Sequence, residues 1–490
     1  MSTQLPIREP ASRASQRGLL TLMCAAVVLV VGMVAAINLA VPMFAASALH
    51  PSAPALVWIV DTYMIVFACL VIPAGAAGDR FGRKGVLLTG LGLFAAGTLL
   101  SAAAPDVAVL LAGRALTGIG AAAVLPNSLA VLLHAVPAER KPATIATWAS
   151  MTGIGGVAGN VGGGLVLTAG SWRWLFAAAA ALSLGLAALV ARFTPVSSRH
   201  DRPLGPLAAV LLTGASVALL LGIVQGPEAG WGSAVVVTAF AGAAVLSAAW
   251  VVTELRSAHP LLDPRLFRIA GLRSACLGLT AIFFGMFALF YVNASFLQYA
   301  KGFGVLATGL GIVPLTVPIV LGGRYVARLA GRIGLDATVA GAFGFVGAGL
   351  LGLSTSDAGT PYAAYAAWLV VTGIGVTLAL PTLSGVIAGA LPPARAGVGT
   401  GLQATTREFG SALGVAVVST VSTARFTAAL PPDLRGAHTV AEALARAPRA
   451  SDVVTAFVAG TDAGLRVAGV AVLVLGGLVV AESWWSRRGR

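Results

Sequence analysis

Acid is scarce in this chain: 17 Asp and Glu stand against 31 Lys and Arg in 490 residues, and only 10% of the residues are charged. Soluble domains carry about a quarter charged residues, so an ordinary water-facing surface is excluded. Cysteine is nearly absent, and Cys24, Cys69 and Cys276 each stand alone inside an apolar run. That excludes a disulfide framework and the spacing of a zinc site, and leaves buried small hydrophobes. The five histidines, His50, His134, His200, His259 and His438, fall between the apolar runs, so a histidine proton relay is not expected. No nucleophile stands with a base and no ligand cluster appears, so neither an enzyme nor a metal site is expected.

What is abundant is apolar sequence, 58% of the chain with a mean hydropathy of +0.92, which describes an all-α polytopic membrane protein. Apolar runs give fourteen candidate spans, beginning near residues 19, 55, 86, 107, 143, 172, 207, 233, 274, 305, 336, 362, 398 and 463. The first run lacks a convincing small-residue cleavage site and reads as a retained span. The net charge of +14 is spread in small groups between runs, a pattern of membrane orientation and not of nucleic-acid binding. With a cytoplasmic N-terminus, the outer segments hold only Arg173, Lys301, Arg425, Arg435, Arg446, Arg449 and Arg466, and most other basic residues fall inside. The positive-inside rule therefore places both termini in the cytoplasm and the chain in the cytoplasmic membrane.

Two acids interrupt the apolar runs, Asp61 in span two and Glu408 in span thirteen, whereas Glu482 sits at the inner end of span fourteen. A charge at such depth costs about 2.5 to 3.5 kcal/mol on insertion scales, so each is a functional candidate by default. Arg114 in span four needs a carboxylate, carbonyls or water, and Asp61 enters at a similar depth as a geometrically reasonable partner. Asn38, Trp58, Tyr63, Asn293, Gln298 and Arg407 are the further candidates for a cavity wall. In span five, Gly155, Gly159 and Gly163 recur at i, i+4 and i+8 beside Asn160 and Gly164, which lets a neighbouring helix approach closely. Spans seven and eight, with no charge over 207–225 or 233–253, read as lipid-facing filler. The loop segments 77–82 (AGDRFG) and 329–334 (LAGRIG) form a degenerate repeat, one per half.

The stretch Gly78-Asp79-Arg80-Phe81-Gly82-Arg83-Lys84 matches the loop signature of the major facilitator superfamily. The segment from Arg114 to Gly120 resembles its span-four motif, and the span-five glycines resemble its antiporter motif. Together with Trp58-Ile-Val-Asp-Thr-Tyr, Ser171-Trp-Arg-Trp-Leu-Phe and Arg407-Glu408, the chain is similar over nearly its whole length to fourteen-span drug:proton antiporters of the QacA type. The resemblance implies two six-helix bundles, 19–192 and 274–482, with two extra helices in a linker region at 193–273, tails at 1–18 and 483–490, and an outer loop at 422–462 that gates or is merely tolerated. It also implies that Asp79, Arg80 and Arg83, with Gly78, Gly82 and Lys84 around them, pair across the inner face and stabilise one end of an alternating-access cycle. Arg114 then tunes a protonatable carboxylate.

Two residues depart from the family pattern. Met33 stands where the first span usually carries an acid, and Asn160 follows Gly159 where proline is usual, which puts the bend of span five in doubt. With that acid missing, divalent cations are expected to be poor substrates, and Met33→Asp is expected to widen the range toward them. The function this implies is proton-coupled export of amphipathic drugs or antibiotics. Asp61 or Glu408 carries the proton, because an apolar cavity favours the neutral acid. A metabolite uptake symporter and a transport-inactive receptor are the alternatives. The expected partners are a small amphipathic substrate, protons and membrane lipid; no cofactor beyond the proton gradient, no nucleic acid and a monomeric state are expected.

Overall fold

The computed structural model describes residues 13–51, 53–137, 140–168, 170–195, 205–257, 260, 263–390, 396–434, 436–437, 440–447 and 449–488. The basic loop with Arg199 and Arg202, and also Arg395, His259 and His438, lie outside the described residues. The helices are α1 (Arg13–Ala45), α2 (Ala53–Phe81), α3 (Arg83–Ala102), α4 (Val107–Ala135), α5 (Lys141–Leu167), α6 (Trp172–Phe193), α7 (Pro206–Ala229), α8 (Ala234–Arg256), α9 (Ala270–Ser295), α10 (Val305–Leu310), α11 (Val313–Ile333), α12 (Leu335–Leu353), α13 (Tyr362–Ala390), α14 (Ala396–Ala429), α15 (Val440–Arg446) and α16 (Ala450–Arg488). Among the described residues, 13 helical stretches are long and apolar enough to cross a membrane, with α10 and α11 sharing the one at Val305–Gly323. α5 holds a shorter apolar stretch, Met151–Leu167, within its full length of Lys141–Leu167. The chain is a multi-pass membrane protein.

Helix starts follow local chemistry. Asp106 Oδ1 accepts the Val109 amide at 2.9 Å ahead of α4, and the Ser171 and Ser233 hydroxyls accept amides at the starts of α6 and α8. The two repeated loops share a backbone device: Gly82 (φ 100°) caps α3 and Gly334 (φ 88°) caps α12, a left-handed region that glycine enters without cost.

The buried side chains form two main cores. One joins α1 to α6 through Met23, Ile37, Phe44, Tyr63, Phe94 and Phe176; the other joins α9 to α16 through Phe284, Leu289, Phe343, Leu350, Tyr365 and Val472. In the first, α1 and α5 pack backbone to backbone: a Cβ on Gly159 would lie 2.1 Å from the Gly32 carbonyl oxygen, while Gly155 and Gly163 face Val31 and Ala36. Lipid gives apolar helices no hydrophobic reason to associate, so such close approach holds them. α5 runs as one helix through Asn160.

The helices predicted to be lipid-facing filler differ from each other. α8 stacks on α7 and exposes Val235, Val237, Val245 and Val252, whereas α7 wedges against both α2 and α14 through Leu220, Ile223 and Val224. The described residues within 422–462 are largely helical: α14 continues to Ala429, Pro432–Leu434 forms a short 3-10 turn, and α16 has begun by Ala450. The polar side chains there do not break the helix. Thr423 is exposed and Thr427 half-buried, and the break comes at Pro431 and Pro432.

Candidate functional site

A cavity of about 70 Å3, counted as the volume open to the centre of a water molecule, lies between the two cores. α1, α2 and α5 contribute one wall and α9, α11, α13 and α14 the other. Most of the lining is apolar, with Val31, Val34, Phe67, Phe283, Met286, Phe287 and Phe290 prominent. Phe287 and Phe290 meet edge to face at 5.5 Å, a geometry in which neither ring needs a polar partner.

Against this apolar wall stands one ion pair. Arg407 Nε and Nη2 both donate to Glu408 Oε1, at 2.8 and 2.7 Å, and the guanidinium also lies 5.4 Å from the Phe67 ring centre. Both side chains line the cavity and both are largely buried. Asn38 and Asn160 line it too, each amide donating to a carbonyl one turn back, Val34 and Gly156, at 2.9 Å. Tyr63 borders the cavity while its hydroxyl donates to the Val30 carbonyl at 2.9 Å.

Asp61 does not border the main cavity. With Met64, Ile65 and Ala68 it lines a smaller pocket of about 10 Å3 by the same measure, closed by Leu220 and Val224 of α7 and by Glu408, Ser411, Ala412 and Val415 of α14. Glu408 therefore borders both spaces, and the two intramembrane acids share a pocket although 347 positions separate them in sequence, 61 from 408. The hydrogen bonds of Arg114 go to carbonyls: Nε donates to Ile59 at 2.8 Å and Nη2 to Val60 at 3.0 Å, with the Tyr63 ring 4.8 Å away. This places a fixed positive charge in the turn just before Asp61, and leaves Arg114 Nη1 buried without a hydrogen-bond partner.

Three wall candidates lie elsewhere. Trp58 packs against the α2–α7–α14 cluster, Asn293 Oδ1 accepts the Tyr365 hydroxyl at 2.9 Å inside the second core, and Gln298 Nε2 is buried without a partner just beyond α9. Thr152, Thr316 and the aromatic ladder of α9 do border the cavity. Sequence reasoning passed over them because single threonines in an apolar helix normally bond back to their own backbone, as Thr316 does to Val313 at 2.7 Å.

Met33 is 3% exposed and packs in the first core, away from the cavity. Its substitution is therefore expected to have a different outcome from the one the family pattern implies. Met33→Asp puts an unpaired acid among packed side chains, at about 2.5 to 3.5 kcal/mol for the charge and about 2 to 5 kcal/mol for the vacated volume. We expect loss of folded protein, measured as monodisperse yield after detergent extraction. A normal yield with new export of divalent cations would contradict this.

The charged loop ties together elements of one half. Asp79 Oδ1 accepts Arg83 Nε at 2.9 Å and Nη2 at 2.6 Å; Arg83 Nη1 reaches the Ala130 carbonyl at 3.1 Å and His134 Nδ1 at 2.6 Å. Lys84 Nζ donates to Ala191 and Thr194 carbonyls at the end of α6, at 2.8 and 2.6 Å. Gly78 lies tightly against Asn127, and Arg80 remains exposed. The pairing that the resemblance places across the inner face thus runs from α2 through α3 to α4 and α6 in this conformation. At the opposite end of the bundle the halves touch: a Cβ on Gly309 of α10 would lie 2.5 Å from the Asn160 carbonyl oxygen, and Gly164 meets Leu306.

Comparisons with known proteins agree with this architecture. The Major Facilitator Superfamily profile matches residues 23–415. The chain is 32% identical over 386 residues to "Multidrug resistance protein Stp" of Mycobacterium tuberculosis (strain CDC 1551 / Oshkosh), covering 78% of this chain and 71% of that protein. It is 32% identical over 422 residues to "Cephamycin export protein CmcT" of Amycolatopsis lactamdurans, covering 82% and 84%. Among solved structures, an inward-facing bacterial homologue of the human lysosomal transporter Spinster superposes with a TM-score of 0.66 at 15% identity, covering 96% of this chain and 98% of that one; it speaks for the fold alone. An all-helical chain with this loop, this repeat and a cavity between two halves belongs to the major facilitator superfamily.

Proposed function

We propose that the protein exports small amphipathic drugs or antibiotics across the cytoplasmic membrane in exchange for protons, by alternating access, without a cofactor. The observation that carries this reading is the Arg407–Glu408 pair in the wall of an otherwise apolar cavity between the halves. The names of the relatives, multidrug resistance and antibiotic export proteins, point the same way. When Glu408 takes a proton, its hold on Arg407 weakens and the wall gains a positive charge; when it is deprotonated, the pair is neutral and an apolar or cationic substrate meets less repulsion. Proton and substrate thus compete for one wall. The aromatic and aliphatic lining supplies affinity without demanding one substrate shape. The distribution of basic residues favours cytoplasmic termini, and the monomer is the working unit of this reading.

The test is direct. Purified protein in weakly buffered detergent solution is expected to release protons when a lipophilic drug is added, and proteoliposomes to move that drug against an imposed pH gradient. Drug movement in the same direction as protons would replace export with symport.

A second expectation concerns the charged loop, which lies far from the cavity. Asp79→Asn removes only a part-exposed i,i+4 pair worth about 0.3 to 0.5 kcal/mol. Arg83→Ala also strips the hydrogen bonds to the Ala130 carbonyl and His134, a loss of about 1.5 kcal/mol in all, enough to shift a conformational equilibrium about tenfold where these contacts differ between its states. Turnover of Arg83→Ala in proteoliposomes should fall by about that factor while equilibrium drug binding stays within about twofold. A large loss of binding with unchanged turnover at saturation would refute the assignment.

A further inference from the structure

The inserted helix α7 carries no ionisable side chain between Leu207 and Gln225, yet it packs where the two intramembrane acids come together. Leu220 (1% exposed) and Val224 (6%) close the pocket that Asp61 and Glu408 share, and Ile223 (3%) seals the joint with Ile65, Ala68, Cys69 and Ala416. The helix is pinned from the side of α2 by Thr213 Oγ1, which donates to the Cys69 carbonyl at 3.3 Å, and from behind by α8. A helix that met only lipid would need neither this fit nor contact with both halves. The charged and titratable groups around the pocket are Asp61, Tyr63 and Cys69 on α2, Glu408 with Arg407 on α14, and Arg114 on α4, which lies against the turn holding Asp61.

We propose that α7 is the insulating wall of the carboxylate pocket: Leu220 and Val224 keep water out of the space between Asp61 and Glu408, so that protons cross only when substrate and the alternating cycle move them. The inference rests on the antiport reading above. Its physical basis is that a proton moves readily along connected water, whereas the space beside the two acids and Ser411, about 10 Å3 and otherwise lined by Met, Ile, Leu, Val and Ala side chains, has room for no more than about one water. Leu220 and Val224 are positioning residues, since they touch neither substrate nor proton. The role belongs to α7 even though it stands outside both six-helix bodies.

The experiment uses the full chain in proteoliposomes with an entrapped pH dye and no drug. Leu220→Ala with Val224→Ala is expected to raise proton leak at least about fivefold over wild type, Leu220→Met to leave it low, and Asp61→Asn with Glu408→Gln, added to the double-alanine variant, to abolish the extra leak. A merely structural role for α7 would lower yield without producing a leak that depends on the acids. A leak that persists after both acids are neutralised, or one that stays at the wild-type level while labelling of Cys69 is also unchanged, overturns the proposal. A second readout separates this from failure of the antiport reading. In a Cys24→Ala, Cys276→Ala background, Cys69 reports water entry through its reaction with a small water-soluble thiol reagent. Faster labelling without leak keeps the wall and removes the acids as proton carriers; unchanged labelling and unchanged leak remove the wall.

Discussion

Glu408→Gln is expected to reduce drug export to the level of cells without the transporter, while the protein still accumulates in the membrane. The amide keeps the shape of the side chain and a hydrogen bond to Arg407, so the helix contacts of α14 persist. What it loses is the negative charge that neutralises Arg407 at the cavity wall. Two unit charges about 4 Å apart interact by about 4 kcal/mol at an effective dielectric of 20, and even half of that costs a cationic substrate more than about tenfold in affinity. The group that exchanges a proton for substrate disappears as well. Efflux of a monovalent lipophilic cation from cells, and drug-induced proton release from purified protein, measure the two losses separately. Wild-type proton release from Glu408→Gln would sink the role and leave Asp61 as the coupling acid. Asp61→Asn is expected to leave drug binding closer to normal, because Asp61 borders the smaller pocket and not the drug cavity.

The distinction between the two acids was not legible in the sequence. Both stood out because a charge in an apolar run is conspicuous whatever it faces, and so did the loop from Gly78 to Lys84. Where a side chain points is another matter. Arg114 and Asp61 enter at similar depths, and the guanidinium donates its hydrogen bonds to the carbonyls of Ile59 and Val60 in the turn just before Asp61. Met33 and Asn38 are five residues apart on α1, a displacement of 140° around the helix, and that rotation puts one in the packed core and the other in the cavity wall. α7 was the least readable element. A helix apolar on all sides carries no period to tell lipid from protein, because a leucine facing a lipid tail and one facing another helix look alike in the sequence. Asn293 and Gln298 read as wall candidates for the converse reason: their polarity marks a need for partners, and for Asn293 a buried tyrosine meets that need.

Gly309→Leu should arrest transport in a protein that still folds. α10 closes against α5 at one end of the cavity, and the closure depends on a backbone approach: a Cβ on Gly309 would sit 2.5 Å from the Asn160 carbonyl oxygen, and that oxygen belongs to a helix that cannot turn aside as a side chain would. Overpacking of this kind costs about 1 to 3 kcal/mol or more, and the contact joins the two halves without belonging to either core. The cheapest relief is for the halves to part at that end, so the substitution should move the population toward the state in which the cavity opens there. Gly159→Leu is the control: its Cβ would lie 2.1 Å from the Gly32 carbonyl inside the first core, so it should lower the yield of folded protein instead. To read the conformational shift, a cysteine is placed at the cavity residue Thr316 in a background lacking Cys24, Cys69 and Cys276, and labelled with an impermeant reagent from the α10 side. Gly309→Leu should accelerate labelling at least about tenfold and reduce turnover by a similar factor; unchanged labelling with normal turnover would show that this end does not gate through the α5–α10 contact.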